Sequence, residues 1–325
     1  MSLLRSLTNI FKAFYGLIIA LMLLFSACSI GYMMGAASAS GGSPFATGDA
    51  VAVVKVVGPI MSGERTGLLA PNGAYSDEIV RQLERAGNSD SVKAVVLRVD
   101  SPGGGVTASD EVYNQVMKLR KERGKPVVAS MGSVAASGGY YVSAAADKII
   151  ANSTAITGSI GVITVLPNLE GLMDKLGVRA EVFTSGPHKD SSTFRPLDQE
   201  GREIIKGVVT DFYQRFVSVV AQGRGMDEEA VRALADGRIY TARQAKEARL
   251  IDDYGDMEEA VRLAASMGGI AGEPRIIEYR AGSPFGGVGG FLLAGLRPSA
   301  IESIIGTASP LSLNYLYLGP VASAR

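Results

Sequence analysis

Ser137 lies in a stretch of very small residues, MGSVAASGGYY, which runs from Met131 to Tyr141. The apolar run PVVAS comes directly before it, so the serine is expected where a buried strand ends and a helix begins. Neighbouring alanines and glycines leave its hydroxyl accessible and leave the nearby backbone N–H groups unblocked. Such a serine can act as a nucleophile, although an isolated Ser-Gly-Gly is also typical of a residue that only caps a helix.

Another glycine-rich turn, DSPGGGVTASD (100–110), comes earlier in the chain, and we call it the first glycine turn; it also follows a strand and opens a helix. In a parallel sheet the turns that follow neighbouring strands face each other at one edge, which is where α/β proteins keep their sites. Backbone N–H groups of this turn could therefore stabilise an anion formed at Ser137. Two alternatives stay open: a purely structural turn, and a dinucleotide site, since residues 103–108 fit GxGxxA but lack the later acidic residue that would hold a ribose.

A serine nucleophile needs a base, and the segment SGPHKDSS offers two candidates, His188 and Lys189. Neighbouring side chains of an extended segment point to opposite faces, so only one of them is expected to face the serine. A lysine in this role must lose its charge, which requires apolar surroundings away from carboxylates, and Asp190 should then point away. Ala135 stands where the G-x-S-x-G motif has glycine, which disfavours a hydrolase of the Ser-Asp-His order.

Composition limits the other possibilities. The chain has 325 residues, is 47% hydrophobic and has a formal net charge of zero, which argues against an electrostatic nucleic-acid binder. It contains one cysteine and one histidine, so disulfide frameworks and zinc sites built from Cys or His clusters are excluded. The expected chemistry uses no metal and no cofactor.

The N-terminal region predicts export and membrane attachment. Residues 13–48 carry no charge, and GLIIALMLLFSACSIGYMMG at their centre is long enough to span a bilayer. Because Arg5 and Lys12 precede this run, the N-terminus is expected in the cytoplasm and the remainder outside it. A lipoprotein site at Cys28 and cleavage after residues 37–39 are the alternatives.

These patterns predict five regions. They are a cytoplasmic N-terminus (1–13), a transmembrane anchor (14–36), a flexible linker (37–49), a catalytic domain (50–280) and an apolar Gly/Pro-rich C-terminal tail (281–325). The tail is too interrupted for a second span. It could lie on the membrane, pack on a second copy, occupy a substrate groove or be disordered.

Apolar runs of strand length alternate with amphipathic helices, which predicts an α/β domain with a largely parallel sheet. The expected strands are 51–57, 92–100, 126–131, 148–151, 161–166, 179–185 and 275–279. The expected helices are 76–89, 107–123, 198–221, 227–236, 241–248 and 256–267. Thr107 and Asp110 should form a capping box. In the long helix, Ile204, Val208, Phe212, Phe216 and Val219 form one apolar stripe, which is expected to be structural.

Five motifs together resemble the signal peptide peptidase A (SppA) family of membrane-anchored serine peptidases, in its short form with one catalytic domain. They are MGSVAASGGYY, DSPGGGV, TGSIGVI (157–163), SGPHKD (185–190) and ADGRIYTARQAKEARLID (235–252). The resemblance covers residues 50–265 and implies a Clp-protease-like or crotonase-like fold. It also implies a Ser-Lys dyad and a ring-shaped homo-oligomer that cleaves signal-peptide remnants in or near the membrane.

Transferred by motif, the resemblance assigns Ser137 as nucleophile and Lys189 as general base, with Ser159 orienting the lysine. It assigns the backbone N–H groups of Gly138 and Gly104 to the oxyanion. Two other functions compete. A catalytically inactive membrane scaffold would keep the fold without the dyad, and a crotonase-type acyl-CoA enzyme would be cytosolic and would usually place a glutamate in the site.

Overall fold

The computed structural model describes residues 48–65, 70–189 and 193–279, together with Met22 and the backbone of residues 314–316. The chain divides into two compact units, residues 1–48 and 49–325, and the elements below belong to the second unit. Nearly all of the predicted anchor and of the predicted linker, and most of the predicted tail, lie outside the described residues. Within the described ranges, no helix combines the length and apolarity needed to cross a membrane.

The second unit is an α/β structure in which most strand pairs are parallel, as predicted. The main sheet has the order β10-β7-β6-β4-β1-β11, with β8 beside β6 and β9 antiparallel to β8. A smaller sheet has the order β12-β5-β2-β3. The strands are β1 (Ala50–Val57), β2 (Ile60–Met61), β3 (Ala74–Tyr75), β4 (Val92–Ser101), β5 (Gly103–Gly105), β6 (Val127–Ala136), β7 (Lys148–Ala151), β8 (Ile156–Gly158), β9 (Ile239–Thr241), β10 (Asp253–Tyr254), β11 (Arg275–Glu278) and β12 (Asn314–Leu316).

Eight helices lie within the described residues. They are α1 (Ser76–Asn88), α2 (Val106–Arg123), α3 (Gly138–Ser143), α4 (Glu170–Leu176), α5 (Gln199–Arg224), α6 (Glu228–Leu234), α7 (Ala242–Glu247) and α8 (Met257–Met267). Helix α3 begins directly after Ser137, as predicted, and the short helix α4 is an addition to the sequence prediction.

The two faces of the main sheet are covered by different helices. Along β1, Ala52, Val54 and Val56 join the larger core, which also contains the buried residues of α1, α2, α3 and α5. Val51 and Val53 point the other way and pack with the buried face of α8. Burial of each such valine stabilises the fold by about 1.5–3 kcal/mol. Continuous burial along the strand explains why its sequence lacks an alternation of polar residues.

The predicted strands 161–166 and 179–185 are wrong. The structure has only an isolated bridge at Ile163 in the first segment and no strand in the second. Residues 161–189, which we call the arm, form no strand longer than this bridge, and α4 within the arm has no buried residue. Apolar side chains of the arm are therefore exposed: Ile163, Val165, Leu169, Leu172, Leu176, Val178, Val182 and Phe183.

The apolar stripe of α5 is only partly structural. Phe216 and Val219 are buried in the larger core, as predicted. Ile204 and Val208 nearer the start of the helix are 45% and 36% exposed, which corrects the prediction. Only the second half of the helix packs against the larger core, and its first half extends beyond that core.

The predicted capping box at Thr107 and Asp110 is also wrong. Helix α2 begins at Val106, its N-cap is Gly105, and no side chain caps it. Asp110 is instead bound by side chains of two other helices. The spacing resembled a cap because acidic residues are common in the first turn of a helix.

Helix α5 approaches α3 so closely at Gly223 that a Cβ there would lie 2.1 Å from the carbonyl oxygen of Ala144. We expect Gly223→Ala to destabilise the protein by about 1–3 kcal/mol, because the backbone must move apart. Gly207→Ala is the matched control in the same helix, since a Cβ there meets no atom within 4 Å. This control should gain about 0.5–1 kcal/mol from helix propensity. Urea unfolding of the purified chain measures both, and equal stability of the two variants would contradict the packing.

Asp252 fixes the end of α5 to β7, since its carboxylate accepts from Arg224 Nη1 at 2.9 Å and from the Ile149 N–H at 2.8 Å. Burial would raise the pKa of this carboxyl, but the hydrogen bonds from Arg224 and Ile149 outweigh burial and hold the pKa below its ordinary value. The carboxylate therefore stabilises the fold above its unfolded pKa of about 3.9, and this contribution is lost as pH falls through the lowered folded pKa.

Asp252→Asn should consequently be less stable than the wild type at pH 7, where Arg224 loses its charged partner. The deficit should shrink as pH falls below about 4, because the wild-type carboxyl then becomes neutral as well. Thermal unfolding across pH 2–7 measures the difference. A deficit that stays constant over this range would exclude the charge of Asp252 as its cause.

Candidate active site

Ser137 occupies a sharp junction between β6 and α3. Its backbone has φ 53° and ψ −118°, a conformation that residues with a Cβ rarely adopt and that costs on the order of 1–3 kcal/mol. Two backbone hydrogen bonds hold it there: the Ser137 N–H donates to Gly158 O at 2.7 Å, and Ser137 O accepts from the Tyr141 N–H at 2.8 Å. The turn is thus of the strained strand-to-helix kind that presents a nucleophile, although Ala135 replaces the usual glycine.

The side chain of Ser137 does not cap α3, so the capping alternative fails. Ser137 is 1% exposed as a residue, yet it lines a cavity of about 370 Å³. The serine is therefore held at a site that a substrate group can enter.

The two glycine turns lie against each other, as the parallel topology predicts. A Cβ added to Gly138 would be 3.1 Å from the backbone nitrogen of Gly104, and a Cβ on Gly104 would be 2.0 Å from Ile60 O. Only glycine fits at such distances. The two residues predicted to bind the oxyanion are thus brought together beside Ser137.

Two buried serines that the sequence reasoning missed support the first glycine turn. Ser101 Oγ accepts from the Gly103 N–H at 3.1 Å, and Ser109 Oγ donates to Gly105 O at 2.9 Å. A Cβ on Gly138 would lie only 2.6 Å from Ser109 Oγ. The available signal was the pair of serines that flank the glycines in the sequence.

Ser159 lines the cavity and directly follows β8, the strand that pairs with the end of β6. Like Ser137 it has a positive φ, 50°, and its N–H donates to Arg238 O at 2.8 Å. The structure therefore brings Ser159 to the same cavity as Ser137.

The rest of the cavity comes from segments to which the sequence analysis gave no role in the site. Its lining residues are Ser137, Ser159, Gly161, Val162, Ile163, Val209, Thr210, Tyr213, Ala235, Asp236 and Gly237. Helix α5 thus supplies one wall.

Asp236 accepts hydrogen bonds from Arg238, which hold the pKa of the Asp236 carboxyl below its ordinary value. Within the described part of the chain, no group of three or more His, Cys, Asp or Glu side chains is arranged to hold a metal ion.

The predicted base Lys189 and the alternative candidate His188 lie elsewhere in the single chain. Lys189 and His188 are exposed at the end of the arm, and neither lines the cavity. The Lys189 N–H donates to Gly186 O at 3.2 Å, while His188 Nε2 is 3.3 Å from Glu200 Oε1. The expected burial of Lys189 is not found in the single chain, because the arm packs against few of the residues that the structure describes. Asp190 lies outside the described residues.

The outer edge of the first glycine turn is paired with an extended segment. The backbone of β12 pairs antiparallel with β5, with Tyr315 opposite Gly104. This edge can therefore accept an added strand next to Ser137, which is how many proteins bind extended peptides.

Comparisons with known proteins agree with this geometry. The sequence model of Peptidase family S49 matches residues 119–270, and that of Clp protease matches residues 70–157. The chain is 40% identical to Protease 4 of Haemophilus influenzae over 217 residues, which are 67% of this chain and 34% of that protein. It is 41% identical to a protein named as a protease in Synechocystis sp. over 221 residues, 68% of this chain and 75% of the relative.

A third relative, a protein of Enterococcus faecium named as signal peptide peptidase SppA, is 40% identical over 210 residues, 64% of this chain and 60% of the relative. The chain spans about a third of the length of the Haemophilus influenzae protein. These matches confirm the resemblance stated above, support a serine peptidase, and agree with a Clp-protease-like α/β fold. The chain belongs to peptidase family S49.

Proposed function

We propose that the protein is a serine endopeptidase that hydrolyses extended peptides with small or apolar residues, signal-peptide remnants among them. The observation that carries this proposal is the strained junction at Ser137. Its backbone is fixed by hydrogen bonds on both sides, its side chain is free of a capping role, and Gly138 and Gly104 meet beside it. Strain of this kind is retained at sites where a side chain must be presented to a substrate.

In the proposed reaction, Ser137 Oγ attacks the peptide carbonyl carbon while Lys189 Nζ accepts the hydroxyl proton. The carbonyl oxygen becomes an oxyanion, which accepts hydrogen bonds from the N–H groups of Gly138 and Gly104. The C–N bond then breaks as Lys189 returns the proton to the leaving amine. A water molecule, deprotonated by the same amine, hydrolyses the acyl-enzyme and frees Ser137.

The proposed substrate pairs with β5 along the edge that β12 occupies, and so takes the place of β12. The antiparallel pairing of β12 with β5 supports this mode, because it uses the same backbone edge that a peptide would use. One substrate side chain would enter the cavity, where Val162, Ile163 and Val209 favour an apolar group. In this arrangement, backbone pairing with β5 gives affinity for the peptide, and the cavity determines which substrate side chains are preferred.

The proposed reaction requires the Lys189 amine to be shielded from solvent. We propose that assembly into a homo-oligomeric ring provides this shielding. In the single chain, Lys189 shares the arm with exposed apolar residues such as Val182 and Phe183, the latter 92% exposed. Apolar surface of this extent is typical of an interface. A second copy packed on the arm would cover it and remove the amine from solvent. Ser159 would then orient the amine by a hydrogen bond.

We further propose that residues 14–36 anchor the protein in the cell membrane, with residues 1–13 in the cytoplasm and the peptidase domain (50–280) outside it. The uncharged run of residues 13–48 and the preceding Arg5 and Lys12 support this topology. The linker (37–49) would separate the anchor from the catalytic domain, and the tail (281–325) would follow that domain. The membrane location also favours a peptidase over a cytosolic acyl-CoA enzyme.

A fluorophosphonate probe tests the nucleophile. The assembled wild type should become covalently labelled, and Ser137→Ala should lose labelling and reduce peptide hydrolysis by about 10³-fold or more. Ser153→Ala, at an exposed serine in the turn before β8, is the matched control and should behave as the wild type. Labelling that persists in Ser137→Ala would assign the reaction to another serine, and a folded wild type that resists the probe would favour the inactive scaffold.

Variants of the arm test the base. Lys189→Ala and Lys189→Arg should both reduce kcat by about 10²-fold or more, because alanine accepts no proton and a guanidinium stays protonated. His188→Ala should keep most of the activity. Lys175→Ala, at another exposed lysine of the arm, controls for a general loss of positive charge. If His188→Ala abolishes hydrolysis while Lys189→Ala does not, the histidine is the base and the dyad is refuted.

A further inference from the structure

A single carboxylate joins three helices around the candidate site. Asp110 of α2 accepts a hydrogen bond at Oδ1 from the hydroxyl of Tyr141 in α3. The same oxygen accepts from Arg215 of α5, from Nε at 3.2 Å and from Nη2 at 2.9 Å. Asn114 Nδ2 donates to the other oxygen at 2.7 Å. We call Asp110, Tyr141 and Arg215 the three-helix latch.

Aromatic packing fixes the geometry of the latch. The ring of Tyr141 is completely buried and meets the rings of Tyr113 and Phe216 edge-on, at centroid distances of 5.4 and 5.0 Å. The guanidinium of Arg215 lies 5.5 Å from the centre of the Tyr113 ring. Arg215 is thus held in place by a carboxylate and by an aromatic face together, which restricts its orientation more than an ion pair alone.

Two members of the latch are linked to the backbone of the two turns that form the candidate site. The backbone N–H of Tyr141 donates to Ser137 O, so this residue belongs to the turn that presents the nucleophile. Asp110 follows Ser109, whose hydroxyl is bound to the first glycine turn. The carboxylate is therefore attached to both turns of the site.

The third member connects to the wall of the cavity. Arg215 is two residues after Tyr213, and with Val209 and Thr210 this tyrosine forms the part of α5 that lines the cavity. The half of α5 before Tyr213 has little cover, since Ile204 and Val208 are exposed. Arg215 is consequently a polar contact, close to this wall, that ties α5 to the helices carrying the nucleophile turn and the glycine turn.

We propose that Arg215 is a positioning residue that sets substrate preference by fixing the distance between the α5 wall and Ser137. The inference rests on the proposed peptidase function. While the latch is closed, the wall stays near the nucleophile and the cavity admits small or medium-sized apolar groups. Without Arg215, the first half of α5 moves more freely and the cavity accepts larger side chains.

The test compares Arg215→Met with the wild type as the full-length protein in its native assembly. Methionine keeps the apolar stem over Tyr113 but makes no hydrogen bond to Asp110. Arg243→Met is the matched control, because Arg243 forms an exposed ion pair with Glu247 on α7 and touches no residue of the latch. Arg215→Lys, which keeps one charged donor, should restore part of the wild-type behaviour.

Two measurements are made on each variant. Hydrogen exchange should become at least 10-fold faster for amides of residues 204–213 in Arg215→Met, with exchange in β4 and β6 unchanged. For peptides that differ only in the residue before the scissile bond, the kcat/KM ratio of phenylalanine over alanine should rise at least 5-fold. Arg243→Met should change neither quantity by more than 2-fold.

The inference is overturned if exchange of residues 204–213 in Arg215→Met matches the wild type, whether or not the enzyme cleaves peptides. It is also overturned if exchange rises while the phenylalanine-to-alanine ratio stays constant, since the wall would then move without affecting preference. A wild type that is neither labelled by the fluorophosphonate nor active on peptides refutes the proposed function instead. The exchange measurement separates these failures.

Discussion

The backbone of Ser137 is the constraint around which the rest of the site is built. A strand must end and a helix must begin at one residue, which forces a positive φ that a serine tolerates only when its neighbours hold it. The Ser137 N–H donates a hydrogen bond to Gly158 O, and the Ser137 carbonyl oxygen accepts one from the Tyr141 N–H. The tiny residues around it follow from the same constraint, because a Cβ on Gly139 would lie 2.7 Å from Ser101 O. The unusual composition of residues 131–141 is therefore a consequence of close backbone packing beside a strained serine.

The parts of the structure that could be predicted from sequence depend on local signals. Strand length and helical spacing gave the α/β class, and the rule that turns of a parallel sheet share an edge brought the two glycine turns together. The boundaries of α1, α6 and α8 were close to their predicted positions for the same reason. Local signals also misled: Asp110 has the spacing of a cap, yet the helix begins one residue before Thr107 and the carboxylate binds other helices.

What could not be predicted depends on contacts between segments far apart in the chain. The spacing of apolar residues in α5 identified one face, but it did not reveal that Val209, Thr210 and Tyr213 would lie beside Ser137. Likewise, apolar residues of the arm read as strands because exposed and buried apolar runs look alike in sequence. Whether an apolar run is buried depends on the segments that pack against it. In the proposed assembly, a second copy of the chain packs against the arm.

In helix α5, one half contributes to the stability of the fold and the other half contributes to the proposed substrate preference. Its second half is buried: Phe216 and Val219 lie in the core, and Gly223 touches the backbone of Ala144. Its first half lines the cavity and has little cover. Arg215 lies between these halves, where a change in its contacts alters the position of the first half without removing apolar area from the core. A substitution there can thus change which peptides fit while the apolar core stays intact. Residues that adjust preference at low structural cost are expected at such boundaries, not within the strained turn, where hydrogen bonds fix the backbone of Ser137 on both sides.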